Sequence, residues 1–192
     1  MSRFHALVLA AGAGARFGGG KLMAPWRGGV LIDGALDAAF AAPVEAVHVV
    51  VGADPRVADH ARRRGATVVQ AEHHAEGLSA SLRAGLADLP ADAAGVLVLL
   101  GDMPRVPHSV LAPLVRAIEA GALAAVPEYD GRIGNPAALS AALFDQLAAL
   151  QGDRGARGLI EGLGAAVALI PAPDSGVLFD VDRPQDLHPG AL

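Results

Sequence analysis

One stretch limits the fold more than any other: the short apolar run Phe4 to Ala10, which empties into Ala11-Gly-Ala-Gly-Ala-Arg16-Phe-Gly-Gly-Gly-Lys21. The run is too short for an independent helix, so it reads as a buried strand opening into a loop. Glycines in such a loop leave backbone N–H groups bare and let a phosphate chain approach closely. Arg16 and Lys21 add positive charge where a triphosphate would lie. Lys21 is the sole lysine among 15 basic residues. A compact, flexible ammonium is therefore wanted at that place rather than a generic cation. The simpler alternative is a surface turn with two solvated cations.

Two familiar phosphate loops are excluded by spelling. A Walker A loop ending at Lys21 requires glycine where Ala15 stands and Ser or Thr where Leu22 stands. The dinucleotide fingerprint begins with Gly12 and Gly14, but Phe17 takes the third glycine's place and Gly18 comes one position late. The loop must cradle phosphates in another way.

The chain has 192 residues, enough for one sizeable core, and no linker-like segment divides it. Residues 1–192 are read as one domain. Hydrophobic residues make up 53% and aromatics only 4%, which favours small side chains and close approach of helices to a sheet. A net charge of −5 argues against nonspecific nucleic-acid binding and for a small ligand neutralised locally. With no cysteine, disulfides, thiolate catalysis and zinc–thiolate sites are absent. The first apolar run is too short for a signal peptide and no other run could span a bilayer, so a cytoplasmic location with no membrane partner is expected.

Further along, strands are expected at Val44 to Val51, Ala66 to Ala71, Gly95 to Leu100, Leu123 to Pro127, Pro136 to Leu139, Ala165 to Ile170 and Val177 to Asp180. Helices are expected at Leu31 to Ala42, Pro55 to Arg64, Leu78 to Leu89, Ser109 to Ala120, Ala141 to Leu150 and Ala156 to Leu163. Asp54 can cap the second of these, and Pro55 suits its first turn. Strands alternating with helices of this length give an α/β fold, a Rossmann-like, doubly wound and mainly parallel sheet covered on both faces. Ligands of such sheets lie beyond the carboxyl ends of the strands. The loop after Ala10, Asp54, residues 72–79 and Asp102 all follow such ends and can line one cleft.

Asp102 stands just past the most apolar strand, in Gly101-Asp-Met-Pro104. Facing a triphosphate, its natural partner is a hard cation such as Mg²⁺, which takes one or two carboxylates plus phosphate oxygens. Asp180 and Asp182 lie at i and i+2, on the same side if a strand continues there. Either could complete the metal site. His73 and His74 are adjacent on an extended segment, point apart and chelate poorly. Ser79 and Ser81 have no histidine partner in a recognisable motif, so hydrogen bonding suits them better than nucleophilic attack.

The loop Leu9-Ala-Ala-Gly12 to Arg16-Phe-Gly-Gly and Lys21, followed by Gly101-Asp-Met-Pro104, resembles the MobA-like nucleotidyltransferases. Within them it is most similar to the molybdenum cofactor cytidylyltransferases. The likeness continues through Glu76-Gly-Leu-Ser-Ala-Ser-Leu82, Gly134-Asn-Pro136, Gly152-Asp-Arg-Gly-Ala-Arg157 and Asp180-Val-Asp182, in order along nearly the whole chain. It implies a nucleotide-diphospho-sugar transferase-like fold. It also implies a nucleotide held by Leu9, Ala10, Ala11 and Gly12, with Arg16 and Lys21 on the phosphates, Gly77, Ser79 and Ser81 along the base and ribose, and Gly101 also on the nucleotide. Asp102 would bind Mg²⁺, with Asp182 the favoured second carboxylate and Asp180 behind it. Gly134, Asn135, Pro136, Asp153 and Arg157 would face the acceptor.

There are departures from the family pattern. Gly20 stands where an acidic residue often precedes the loop lysine, Asn135 where histidine is frequent, and Arg183 where threonine is common. Ala11, where guanylyl-transferring relatives tend to carry glycine, inclines the likeness toward CTP. The implied activity is Mg²⁺-dependent transfer of CMP from CTP to a phosphorylated small molecule such as molybdopterin, with release of pyrophosphate. Arg16, Lys21 and Asp102 would carry the chemistry, and a molybdoenzyme or its maturation chaperone would receive the product. Use of GTP or another acceptor, or a pterin- or nucleotide-binding oxidoreductase or chaperone on the same cleft, are the alternatives.

Overall fold

The computed structural model describes residues 3–12, 14–72, 77–152 and 155–187. Among these the first strand, β1 (Phe4–Ala10), is buried throughout and lies inside the sheet. A two-residue hairpin follows, β2 (Pro25–Trp26) with β3 (Gly29–Val30). Helix α1 (Ile32–Ala41), β4 (Ala46–Val51), α2 (Pro55–Arg63), β5 (Thr67–Gln70), α3 (Leu78–Ala87) and β6 (Gly95–Leu100) complete the first part. Then come α4 (Leu111–Glu119), β7 (Ala124–Tyr129), β8 (Arg132–Ile133), β9 (Ala137–Ser140), α5 (Phe144–Ala148), α6 (Arg157–Gly162) and β10 (Val167–Pro171).

The strands line up as β10-β7-β9-β6-β1-β4-β5, with β8 paired to β7. β1 runs parallel to both β4 and β6, β4 to β5, and β7 to β10. Only β9, between β6 and β7, and the short β8 run antiparallel among the described residues of this sheet. The mainly parallel sheet is thus as the alternation of elements predicts, with one reversed strand set into it.

The alternation within β1 divides the core. Phe4, Ala6 and Val8 join the apolar layer containing α1, α2 and α4, whereas Leu7 and Leu9 join the layer containing α3 and α5. Burial on both faces explains why β1 and β6 read as unbroken apolar runs. At the start of α2 the Asp54 carboxylate accepts the Arg56 N–H at 3.0 Å, with Pro55 in the first turn, as the sequence predicts.

Residues 177–180 do not form the expected strand. Ser175–Leu178 is a 3₁₀ turn instead, opened by Asp174, whose carboxylate accepts from Gly176 N at 2.7 Å. The backbone pairs elsewhere: Val177 O accepts from Asn135 N at 2.8 Å, and Val181 N donates to Asp102 O at 3.0 Å. Val177 and Val181, both fully buried, anchor this crossing segment in the core. Asp180 and Asp182 therefore flank a buried valine on irregular chain, and the shared side expected from a strand does not apply. Helices α5 and α6 are also shorter than the sequence suggests, since residues 141–143 close a separate 3₁₀ turn capped by Ser140.

Candidate functional site

The carboxyl ends of β1, β4 and β6 point the same way because the three strands are parallel. Gly101 N donates to Leu9 O at 2.9 Å, which ties the end of β6 to the end of β1. The turn after β6 is also pressed against α1. A Cβ on Gly34 would lie 2.5 Å from Pro104 Cα and nearer still to Pro104 O, so only glycine allows that approach. Asp102 is consequently held from two sides, by α1 beneath its turn and by Val181 on its own carbonyl.

The glycine loop returns to the same place. It carries Lys21 into a short 3₁₀ turn, Lys21–Met23, entered through Gly20 in the left-handed region. Lys21 Nζ donates to Asp102 Oδ2 at 2.7 Å, with side-chain exposures of 11% and 27%. The sole lysine and the aspartate of the Gly-Asp-Met-Pro turn are direct partners. Nearby, Arg16 Nη1 donates to Asp182 Oδ2 at 2.8 Å in an exposed pair. The Asp186 carboxylate accepts from Asp182 N and Arg183 N at 2.9 and 2.7 Å, which fixes the turn carrying Asp182.

The two C-terminal carboxylates differ electrostatically. The Arg16 hydrogen bond holds Asp182 below the usual carboxylate range. Burial, followed by the charge of Asp102, pushes Asp180 up. Asp180 is thus the one that feels Asp102, and a cation between them would relieve that repulsion. Among the described residues no three His, Asp or Glu side chains form a complete metal cage.

Two hollows open beside this centre. The first, about 340 Å³, lies between the glycine loop and the β4–α2 turn, and is lined by Ala10, Ala11, Gly12, Gly20, Lys21 and Asp54 among others. The second, about 550 Å³, has aliphatic walls from Leu9, Leu82, Leu100 and Val126, with Gly134, Asn135, Arg157 and Glu161 as its polar edge. Arg157 Nε donates to Glu161 Oε1 at 3.0 Å there.

Of the sequence-derived candidates, Ala10, Ala11, Gly12 and Lys21 line the first hollow, Gly101 and Asp102 follow the end of β6, and Leu9 lines the second hollow. Gly134, Asn135 and Arg157 share the second, while Pro136 follows a cis peptide bond from Asn135 without lining that hollow. Gly77 begins α3 with a φ of 106°. Ser79 and Ser81 are buried rather than open to a cleft; Ser79 N donates to Gly152 O at 3.1 Å, and its hydroxyl has no partner among the described residues. Asp153, His73 and His74 lie outside the described residues. Sequence reasoning missed the aliphatic walls of the second hollow. The period-two alternation places Leu9 and Leu100 on one face of adjacent strands, and could have found them.

A parallel α/β sheet whose strand ends gather a glycine loop, two paired cations and several carboxylates defines a nucleotide-handling protein. The chain belongs to the family of the MobA-like NTP transferase domain, whose model matches residues 6–167. It is 31% identical over 193 residues to the purine catabolism protein PucB of Bacillus subtilis (strain 168), covering 94% of this chain and 92% of that one. Nicotine blue oxidoreductase of Paenarthrobacter nicotinovorans is 29% identical over 196 residues, covering 95% and 93%. Among solved structures, Rv0371c from Mycobacterium tuberculosis H37Rv superposes with a TM-score of 0.84 at 30% identity, covering 96% of this chain and 95% of that one. A manganese complex of Rv0371c matches with a TM-score of 0.74 at 27% identity, covering 89% of each chain.

Proposed function

We propose that this protein is a cytoplasmic, single-domain cytidylyltransferase, moving CMP from CTP to the phosphate of molybdopterin or its molybdenum-loaded form and releasing pyrophosphate. The observation that carries the reading is the Lys21–Asp102 pair beside a hollow walled by the glycine loop, with a second hollow, large enough for an acceptor, lined by Leu9 and Leu100 at the ends of β1 and β6. Family membership supports nucleotidyl transfer. The base and the acceptor rest on the resemblance, including Ala11 in the loop.

An oxygen of the acceptor phosphate attacks the α-phosphorus, the bond from that phosphorus to the α,β-bridging oxygen breaks, and pyrophosphate departs with the electron pair. No protein nucleophile is needed, so positioning and electrostatics supply the rate. The bare amides of Ala11 and Gly12 receive the phosphate chain, while Lys21 and Arg16 stabilise negative charge growing on the leaving group. Asp102 and Asp180 would hold Mg²⁺, with Asp182 beside them on Arg16, the reverse of the order of the two C-terminal carboxylates that the resemblance implies. When bound, the ion neutralises and polarises phosphate oxygens. The aliphatic hollow shelters the acceptor body, and Arg157 and Asn135 meet its polar edge. A molybdoenzyme or its maturation chaperone takes the product.

The test is pyrophosphate release with each of the four ribonucleoside triphosphates, Mg²⁺ and molybdopterin. The expected result is release with CTP only when acceptor and metal are both present. A second reading, a pterin- or nucleotide-binding oxidoreductase, draws on the likeness to nicotine blue oxidoreductase. Redox turnover with a nicotinamide or flavin, without pyrophosphate, would select it.

A further inference from the structure

Next to the lining of the first hollow, against Gly20, lies a cation other than Lys21. Arg56 lies in the first turn of α2, and its guanidinium is presented by the cap of its own helix. Nε donates to Asp54 Oδ1 at 3.0 Å and Nη2 donates to Asp54 Oδ2 at 2.7 Å. This bidentate fork fixes an otherwise flexible side chain. Its direction is informative, because Nη2 lies 2.9 Å from the place a Cβ on Gly20 would take. Gly20 immediately precedes Lys21, and both line the hollow together with Asp54. The space that a side chain at position 20 would fill in the phosphate loop is therefore filled from across the hollow by a guanidinium. The helix cap and the loop meet through that group.

Asp54 alone cannot be what Arg56 serves at this place. Asp54 already caps α2 through Arg56 N, and its guanidinium pair is exposed on the arginine side, 64% against 30% for the aspartate. Such a pair adds little to stability. A guanidinium held flat by Asp54 through Nε and Nη2, and mostly exposed, keeps further N–H donors free for phosphate oxygens.

We infer that Arg56 is a third substrate-contacting cation, binding the terminal phosphoryl groups of the nucleoside triphosphate, with Asp54 as its positioning residue. Lys21 and Arg16 are already engaged by Asp102 and Asp182, whereas Arg56 reaches the loop at Gly20 from the first turn of α2. It therefore discriminates triphosphate from monophosphate and holds the departing pyrophosphate. The inference rests on the nucleotidyltransferase reading of the site.

The experiment measures dissociation constants of CTP, CMP and inorganic pyrophosphate, with Mg²⁺, for the whole protein and for Arg56→Ala, Arg56→Lys and Asp54→Asn. Arg56→Ala is expected to weaken CTP and pyrophosphate by about tenfold or more while leaving CMP unchanged, the loss expected for a charged hydrogen bond. Arg56→Lys should recover part of the loss, since charge remains but the fork does not. Asp54→Asn should fall between wild type and Arg56→Ala, with KM for CTP rising more than kcat falls. Equal affinities of wild type and Arg56→Ala for CTP and pyrophosphate, or an equal loss for CMP, would overturn the inference and leave the reading of the enzyme intact. Wild-type protein that binds none of the three ligands would overturn both.

Discussion

Lys21 and Asp102 meet at 2.7 Å across 81 positions of the chain, one from the glycine loop and the other from the turn after the most apolar strand. Neither is deeply buried, and neither is needed to fill the core. A pair drawn together by two strand ends, with its lysine lining a hollow, suits the charge stabilisation that the proposed reaction needs. Lys21→Ala and Asp102→Ala should each lower pyrophosphate release by about 10²- to 10³-fold, the range for removing a preorganised charge from a phosphoryl-transfer site. Melting temperatures should move by only a few degrees, about what a surface-near pair contributes. Near-normal turnover in either variant would remove that residue from the site.

Much of this centre was legible in the sequence, because each apolar run stops at a glycine and a charged residue follows. Phe4 to Ala10 and Gly95 to Leu100 announce two buried strands, and the carboxyl-end rule then brings Lys21 and Asp102 together. The chain beyond residue 130 was less legible. The reversal of β9 is set by the Asp130–Gly131 turn, after which β8 already runs antiparallel to β7, and four residues such as Ala137 to Ser140 do not encode direction. Residues 177–180 look like a strand because they are apolar, yet Val177 and Val181 are buried four positions apart on a crossing segment whose backbone bonds go to Asn135 and Asp102. Arg56 was invisible for a related reason. Asp54-Pro55 spells a helix start, and nothing local says that the next residue reaches across to Gly20.

The second metal carboxylate can be separated from its neighbour. Asp180 is raised by burial and by the charge of Asp102, whereas Asp182 is lowered by its bond from Arg16. Only the first is electrostatically joined to the carboxylate expected to hold the cation. Asp180→Asn should raise the Mg²⁺ concentration for half-maximal activity by about tenfold, as loss of one charged ligand does. Asp182→Asn should raise it less and should chiefly loosen Arg16. Titrating activity against Mg²⁺ in both variants checks the order, and a larger effect at Asp182 reverses the assignment.

Gly34 offers a test of how the Asp102 turn is supported. An added methyl would sit 2.5 Å from Pro104 Cα and nearer still to Pro104 O, both backbone atoms that cannot swing aside. Gly34→Ala should cost about 1–3 kcal/mol by overpacking, read from the denaturant midpoint. Because the displaced backbone carries Asp102, kcat should fall by about tenfold or more even in the folded fraction. A variant that is destabilised yet fully active per folded molecule would show that α1 only packs against the turn and does not position its carboxylate.

Near the amino end of β1, far from the glycine loop, two buried histidines of β1 and β4 meet Asp88, the exposed residue that closes α3. His48 has one ring nitrogen 2.9 Å from Asp88 Oδ2 and the other 3.3 Å from His5 Nδ1. Both imidazoles are nearly inaccessible, His5 at 4% and His48 at 6% exposed. Burial, and then the neighbouring His48, lower the pKa of His5, with Glu45 opposing more weakly. The folded state therefore favours neutral His5, while the unfolded chain takes up a proton near the ordinary value of 6.5. Above that value the two states bind the same number of protons at this site and its contribution to stability is complete. As pH falls below it the unfolded state gains the extra proton, and stability declines until the lowered folded value is passed. The melting temperature should accordingly drop as pH falls below about 6.5. His5→Leu should flatten that slope while lowering the plateau, because the His48 ring nitrogen facing it loses its partner. Thermal melts across this range in both proteins, at fixed ionic strength, decide the matter: an unchanged slope in His5→Leu would assign the acid sensitivity to other groups.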